Sequence, residues 1–392
     1  MRTALRICFA LCLAAGLVGL AAAQEPTQRL PMERPDFEFP TIDGYEVLVG
    51  DFHIHTNHSD GVLPSRERVL ESYLAGYDAI ALTDHGSVAA YAETKALADE
   101  LGLVFVRGLE SGINGQEHYV LLGVGEEYVP QDSHNWAETP EQAQETGRVY
   151  YRDKLEQVRN SGGIALYAHP HHGWRECSQW AYEQGILVGC EVLNSCTTEG
   201  WGSVLTHGRA AYPHGFDWCL EKGMTAVAFS DLHGYHGDCA PRAKTLLLVD
   251  AATPEAIIEA LREGRALAWF PDGGERWPDS PEMLWAPAEI LERYATTVTR
   301  LTDRALGSDP AQGRLTLRNL GAVTLFVRVQ VGGVATEELR LEPGKEYFVM
   351  HDASAQRMTV EWTNLWRSPR QTLTVDYSLK LRDGAWVWVP RS

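Results

Sequence analysis

The stretch Asp51-Phe52-His53-Ile54-His55-Thr56-Asn57-His58-Ser59-Asp60-Gly61 decides how the chain is read. It closes an apolar run, Tyr45–Ile54, that reads as a strand. Residues two apart on a strand point to the same side, so His53 and His55 converge at its end. Two neutral imidazoles on one face can hold a transition metal at about 2.0–2.1 Å, and Asp60 follows in a turn from which it can reach back. The competing reading is an ordinary pair of strand histidines. The rest of the chain decides between the two.

Outward from this stretch, strand-like and helix-like segments alternate to about residue 270. Ser65–Ala75 reads as a helix with an apolar face at Val69, Leu70 and Leu74, Asp78–Leu82 as a strand, and Val88–Leu101 as a helix ended by Gly102. Val104–Leu109 and His118–Gly123 read as strands, Glu141–Asn160 as one helix, and Ile164–Ala168, Leu187–Leu193 and Thr225–Phe229 as strands. Thr245–Val249 and Pro254–Arg262 finish the region. This alternation predicts an α/β unit of parallel strands with helical crossovers, either a barrel or an open doubly wound sheet. The strand ends repeat the theme of the opening stretch. His85 closes the second strand, Glu110 the third, His169 the fifth, and Asp231 and His233 follow the seventh, while His118 opens the fourth. Carboxyl ends of strands in parallel α/β folds face one functional surface, so most of these groups gather at one mouth, which core packing alone does not explain.

Beyond residue 271 the texture changes. Residues 272–288, rich in Gly, Pro and Trp, read as a linker and Glu289–Ala305 as a helix, giving a 272–305 connector. Short alternating strands then run from Arg314–Arg318 to Trp386–Val389, so 306–392 reads as a small antiparallel β domain, a sandwich. At the other end, Arg2 and Arg6, the apolar run Ile7–Leu20 and Ala21-Ala22-Ala23 have the layout of a secretory signal peptide over 1–23. The alternative is a membrane anchor, for which the run is short. Residues 24–44 read as a mobile leader. The expected location is periplasmic or extracellular, with no stable membrane span after cleavage.

The formal charge is −19, and −21 once Arg2 and Arg6 leave. Such a surface repels phosphate backbones, which argues against extended nucleic acid but leaves room for a small anionic substrate near bound cations. Of seven cysteines, Cys177, Cys190, Cys196, Cys219 and Cys239 stay in the mature chain. One or two disulfides are expected among them, and the odd count leaves at least one outside an intramolecular pair. No Gly-x-Ser-x-Gly elbow, phosphate loop or dinucleotide fingerprint is present.

The set His53-x-His55, Ser59-Asp60-Gly61, Thr83-Asp84-His85, Gly108-Leu109-Glu110, Ala168-His169-Pro170 and Ser230-Asp231-x-His233 resembles the polymerase-and-histidinol-phosphatase (PHP) superfamily over roughly residues 50–270. The resemblance implies a distorted (β/α)7 barrel over 45–271 and two or three divalent ions (Zn, Mn or Fe). It also implies hydrolysis of phosphate esters. Ala260–Arg265 is similar to secreted members grouped with carbaryl hydrolase, which cleave a carbamate ester. Carried across, His53, His55, Glu110 and Asp231 would hold one ion. Glu110 would bridge to a second ion on His118 and His169, and Asp60, His85 and His233 would hold a third. A water between two such ions loses a proton near neutral pH, and the loaded site keeps a formal charge of about +2, suited to a phosphate group.

Around these ligands, His171, His172 and His236 are candidate proton donors to a leaving group, the alternative being solvated loop histidines. Asp84 is expected either to orient His85 or to stabilise a turn. Arg175, Arg242 and Lys244 can pin a phosphate or be ordinary surface charges. Trp174, Trp180, Trp201 and Trp218 form either a substrate wall or a small core under a loop. The expected activity is that of a secreted phosphoesterase on a monoester or small diester. The alternatives are a carboxylic or carbamate ester hydrolase in the same site and an inactive protein that binds metal or glycan.

Overall fold

The first strand, Glu46–Asp51, is buried increasingly toward its carboxyl end, and it has a neighbour on each side. Lys244–Val249 pairs with it antiparallel and Ala79–Ile80 parallel. The computed structural model of the protein describes residues 33–128, 135–196, 204–206, 209–238, 242–270, 282–306, 309–382 and 385–391.

Among these residues the strands form two large mixed sheets and a small one. A seven-stranded sheet runs from Gly108–Gly112 through His118–Leu122, Ile164–Ala168 and Leu187–Asn194, with Thr225–Phe229 on the last of these. A twelve-stranded sheet holds Glu46–Asp51 and its neighbours. The two meet at isolated parallel bridges, Ile54 with Leu232 and His85 with Glu110. The α/β class is therefore present, but as mixed sheets rather than the expected parallel ones. A closed ring of ladders is not traced among the described residues. One of the antiparallel pairs has a local cause. Gly112 and His118 are joined by a tight turn, with Gln116 N donating to Ile113 O, and a turn that short forces the two strands antiparallel.

The expected helix over 141–160 is two helices, Pro140–Thr146 and Tyr151–Asn160, because Gly147 takes a left-handed conformation (φ 70°) and ends the first. The expected helix over 289–305 stops at Val298. The β-branched run Thr296-Thr297-Val298-Thr299 leads into a strand, Thr299–Leu306.

The expected linker is also corrected. Met283–Trp285 is a strand, antiparallel to Ala266–Phe270 and parallel to the stretch around Leu365 and Trp366. Through it the twelve-stranded sheet passes from the α/β part into the C-terminal strands without interruption. One apolar core accordingly contains Ile54, Ile80 and Leu246 together with Leu325, Val360 and Trp362. The three-stranded sheet of Thr299–Leu306, Asp309–Asn319 and Glu346–Asp352 adds Leu315, Leu317 and Val349 to that core.

Residues 271–281, Trp201 and Cys239 lie outside the described residues, as does the expected signal peptide. The described part of the expected mobile leader is docked. Phe37 and Phe39 meet the Trp269 ring edge-on at 5.2 and 6.4 Å, and Arg34 donates to Tyr77 O at 3.1 Å. Cys177, Cys190 and Cys219 are free and buried, and Cys196 is disulfide-bonded. Among the described residues no helix is long and apolar enough to cross a membrane.

Candidate metal centre

Just beyond the first strand, two chain segments zip together. Asp231 N donates to His53 O at 2.8 Å, and His55 N donates to Leu232 O at 3.0 Å. This sets His53, His55, Asp231 and His233 side by side. The bridge between His85 and Glu110 brings in the next pair. His118 opens its strand rather than closing it, yet antiparallel register sets it opposite Gly112 and Ala168, at the same rim as His169. Two of these residues, His169 (φ 25°) and Asp231 (φ 55°), have left-handed backbones without being glycine, a strain that persists where surrounding structure holds it.

Glu110 is the hub. Its Oε2 lies 3.2 Å from His53 Nε2, 3.3 Å from His55 Nε2 and 3.1 Å from His85 Nδ1. Its Oε1 lies 3.2 Å from His118 Nδ1 and 3.0 Å from His169 Nε2. Asp231 Oδ1 lies 3.1 Å from His53 Nε2 and 3.3 Å from His55 Nε2. Although these atoms crowd together, His53 Nε2, His55 Nε2 and Glu110 Oε2 are buried without an aligned hydrogen bond among the described residues. Lone pairs that share a centre but do not pair with one another fit a cation between them, and the N and O donor set suits Zn, Mn or Fe. All nine expected ligands fall into four overlapping groups with ligand atoms within 4.8 Å of one another: His53, His55 and Glu110; His53, His169 and Asp231; Glu110, His118 and His169; and His55, Asp60, His85 and His233.

Electrostatics support this reading. Burial disfavours a charged His53, yet the Asp231, Glu110 and Glu191 carboxylates hold its pKa well above the usual imidazole value. Burial likewise opposes a charged His85, but the Asp60 and Glu110 carboxylates beside it push it up to about 10. Burial works against charged Glu110 and Asp231, and the surrounding imidazoles, His53 foremost, hold both below the carboxylate range. The pocket therefore attracts positive charge, whether protons or metal ions.

The loop carrying Asp60 is clamped from below. Asp84 accepts from Thr56 N (2.7 Å), Thr56 Oγ1 (2.7 Å) and Ser59 Oγ (2.8 Å). Of the two expected roles it takes the turn-stabilising one, and the catalytic expectation is corrected because its oxygens are engaged by the loop. Gly61 permits the fold of this loop, since a Cβ there would sit 2.6 Å from His55 O. Arg68 donates to His55 O, His233 O and Gly234 O, tying two ligand segments to one guanidinium.

Three further expectations change. Arg242 is fully buried behind the site, its Nη2 bonded to Asp51 Oδ2 at 2.7 Å and its guanidinium over the Tyr77 ring, so it is not free to pin a substrate. Lys244 is buried too, donating to Arg242 O among the rings of Phe37, Tyr77 and Trp269. His236 and His171 are poor imidazolium donors at neutral pH. Burial and nearby cations push His236 down to about 3, and burial and neighbouring histidines push His171 down to about 4. His171 does sit at the rim, its ring stacked 4.9 Å from that of His169 and tilted against that of His172 at 4.3 Å. Arg175 is exposed beside them, with Nε donating to His172 O at 3.3 Å. Trp174 and Trp218 pack edge-on at 5.3 Å against the core beneath, and Trp180 joins Tyr151 there.

Glu191 escaped the sequence reading. It is fully buried on Leu187–Asn194, and its Oε1 lies 2.6 Å from His53 Nδ1. A lone carboxylate inside the apolar run Leu187-Val-Gly-Cys-Glu-Val-Leu-Asn194 was the available signal.

Residues 51–180 match the family described as the PHP domain. Asp231 and His233 lie outside the matched stretch and join the centre through the fold. A two-domain protein from Bacteroides vulgatus, described as containing a predicted PHP-like metal-dependent phosphoesterase, superposes with a TM-score of 0.69. It is 20% identical, and the overlap covers 89% of this chain and 100% of that one, a likeness of fold. The 5'-3' exoribonuclease of Haemophilus influenzae is 38% identical over 64 residues, 16% of this chain. The match spans 23% of the exoribonuclease.

Proposed function

We propose that this chain is a metal-dependent phosphoesterase acting on a small phosphate monoester or diester. The observation that carries the reading is Glu110, whose two carboxylate oxygens face two different sets of imidazoles, so that it would help to hold an ion on each side. Divalent ions in such a set supply Lewis acidity and a nucleophile at neutral pH.

The chain's own residues supply the rest. His169 and Asp231, both left-handed, set their ligand atoms 3.0 Å from Glu110 Oε1 and 3.1 Å from His53 Nε2 respectively. His171 and His172 stand at the rim as neutral imidazoles, able to hydrogen-bond ester oxygens, and added cations would lower their pKa further. The Tyr212 hydroxyl is buried and has no hydrogen-bond partner among the described residues; burial, with the Glu191 and Asp231 carboxylates, keeps it protonated. Arg175 offers an exposed cation for an anionic substrate. The acidic surface favours a small ester over extended nucleic acid.

Secretion is part of the proposal, supported by the layout of residues 1–23 and by the disulfide at Cys196. The test is a substrate panel on manganese- or zinc-loaded protein: p-nitrophenyl phosphate, bis-p-nitrophenyl phosphate and a naphthyl ester. Phosphate release is the expected outcome. Activity on the naphthyl ester alone would replace this reading with the carboxylic or carbamate ester one.

A further inference from the structure

Glu191 stands on Leu187–Asn194, which lies between Ile164–Ala168 on one side and Thr225–Phe229 on the other. His169 follows the first of these neighbours and Asp231 the second. The ladder with Thr225–Phe229 shifts register just after the pair Val227 and Glu191, an irregularity of the kind that re-aims a side chain. The Glu191 carboxylate makes three contacts. Oε1 lies 2.6 Å from His53 Nδ1, while Oε2 accepts from His169 N at 2.6 Å and from Asn194 Nδ2 at 3.1 Å.

We propose that Glu191 is a positioning residue that locks His53 and His169 in their ligating poses, so that the ions on the two sides of Glu110 are gained and lost as a pair. The inference rests on the metal-centre reading above. A carboxylate acceptor at Nδ1 makes that nitrogen the protonated one, which leaves the Nε2 lone pair of His53 facing Glu110 and Asp231. The same carboxylate takes the N–H of His169, whose left-handed backbone needs an outside hold. His53 belongs to the ligand set at Glu110 Oε2 and His169 to the set at Oε1, so one buried group supports both. The Asp60, His85 and His233 group contains neither of the two histidines that Glu191 holds and should be indifferent.

Two experiments on the full chain test this. The first titrates chelator-treated wild type and Glu191→Gln with Mn2+ by calorimetry. Gln keeps an acceptor for one of the two histidine contacts but turns a donor toward the other. The variant should bind about 10–100-fold more weakly at two equivalents together, with any third unchanged. Wild-type affinity and stoichiometry in Glu191→Gln would overturn the proposal, as would loss of one equivalent alone. The second needs no variant and so does not depend on Glu191→Gln folding. Long-range 1H–15N correlation in the zinc-loaded wild type should show His53 protonated at Nδ1, and protonation at Nε2 would overturn the proposal. If wild type binds no divalent ion at all, it is the metal-centre reading that falls.

Discussion

Two clusters of buried charge lie two residues apart at the end of one strand, and they are built on opposite plans. At Asp51 the charges close on one another. Arg242 bonds Asp51 directly, Arg68 pairs with Glu71, and Arg68 spends its remaining donors on backbone carbonyls. At His53 the charged and polar atoms crowd within about 3.3 Å of Glu110 Oε2 without aligning as hydrogen bonds. An opposite-charge pair in direct contact serves the fold even where some donors, here Arg242 Nε and Nη1, have no hydrogen-bond partner among the described residues, whereas imidazoles and carboxylates that converge on one point without pairing suit a cation. The difference explains why Arg242, a reasonable phosphate clamp from its place in the sequence, belongs to the scaffold.

The largest effect should come from the hub of the open cluster. Glu110→Gln is expected to lose the ions on both sides and to lower kcat/KM by about 10,000-fold, the several kcal/mol that Lewis-acid catalysis supplies. Elemental analysis alongside kinetics checks it, and normal metal content would merge the two clusters into one structural class. In the closed cluster, Arg242→Met leaves Asp51 buried without its partner. It should cost about 3–5 kcal/mol in urea denaturation while the surviving folded protein keeps its metal complement and KM. A raised KM with unchanged stability would return Arg242 to the substrate. Trp362→Ala, a change outside both clusters, should cost a similar ~3–5 kcal/mol, because the core it fills also contains Ile54 and Leu246. Stability unaffected by that change would mean the C-terminal strands are a separate unit.

Next in size is a pH effect confined to the open cluster. His85 is held at about 10 without metal, so at neutral pH an incoming ion must displace its proton. Apparent affinity for the Asp60, His85 and His233 group should therefore rise up to about tenfold per pH unit for each proton displaced, and level off near pH 10. Calorimetric titrations at several pH values would show it, and a flat profile would contradict it. Smallest of all, Arg175→Ala should raise KM for a phosphate ester by only a few-fold, since an exposed cation is screened.

The assembly of the nine ligand candidates was legible because it rests on local rules. Strand termini share a rim, and although His53, His55, Asp231 and His233 lie just past their strands, with Asp231 left-handed, the bridge of Ile54 to Leu232 still sets the two pairs side by side. What was not legible depends on partners distant in sequence. Nothing near Met283–Trp285 announces that it will bridge two halves of a sheet, since its pairing partners are at Ala268–Phe270 and Leu365–Trp366. A basic residue such as Arg242 or Lys244 looks the same in sequence whether it meets a substrate or a buried Asp51. Glu191 was legible in principle, as a charge inside an apolar strand, but only the fold shows that it faces His53.

The most direct measurement of the central claim is the metal content of the full chain after dialysis, wild type against the His53→Ala, His55→Ala double variant. The account predicts two or three equivalents in the wild type and at most one in the double variant, with activity lost alongside. A double variant that keeps the full complement would contradict it, because the converging atoms around Glu110 would then not be what holds the ions.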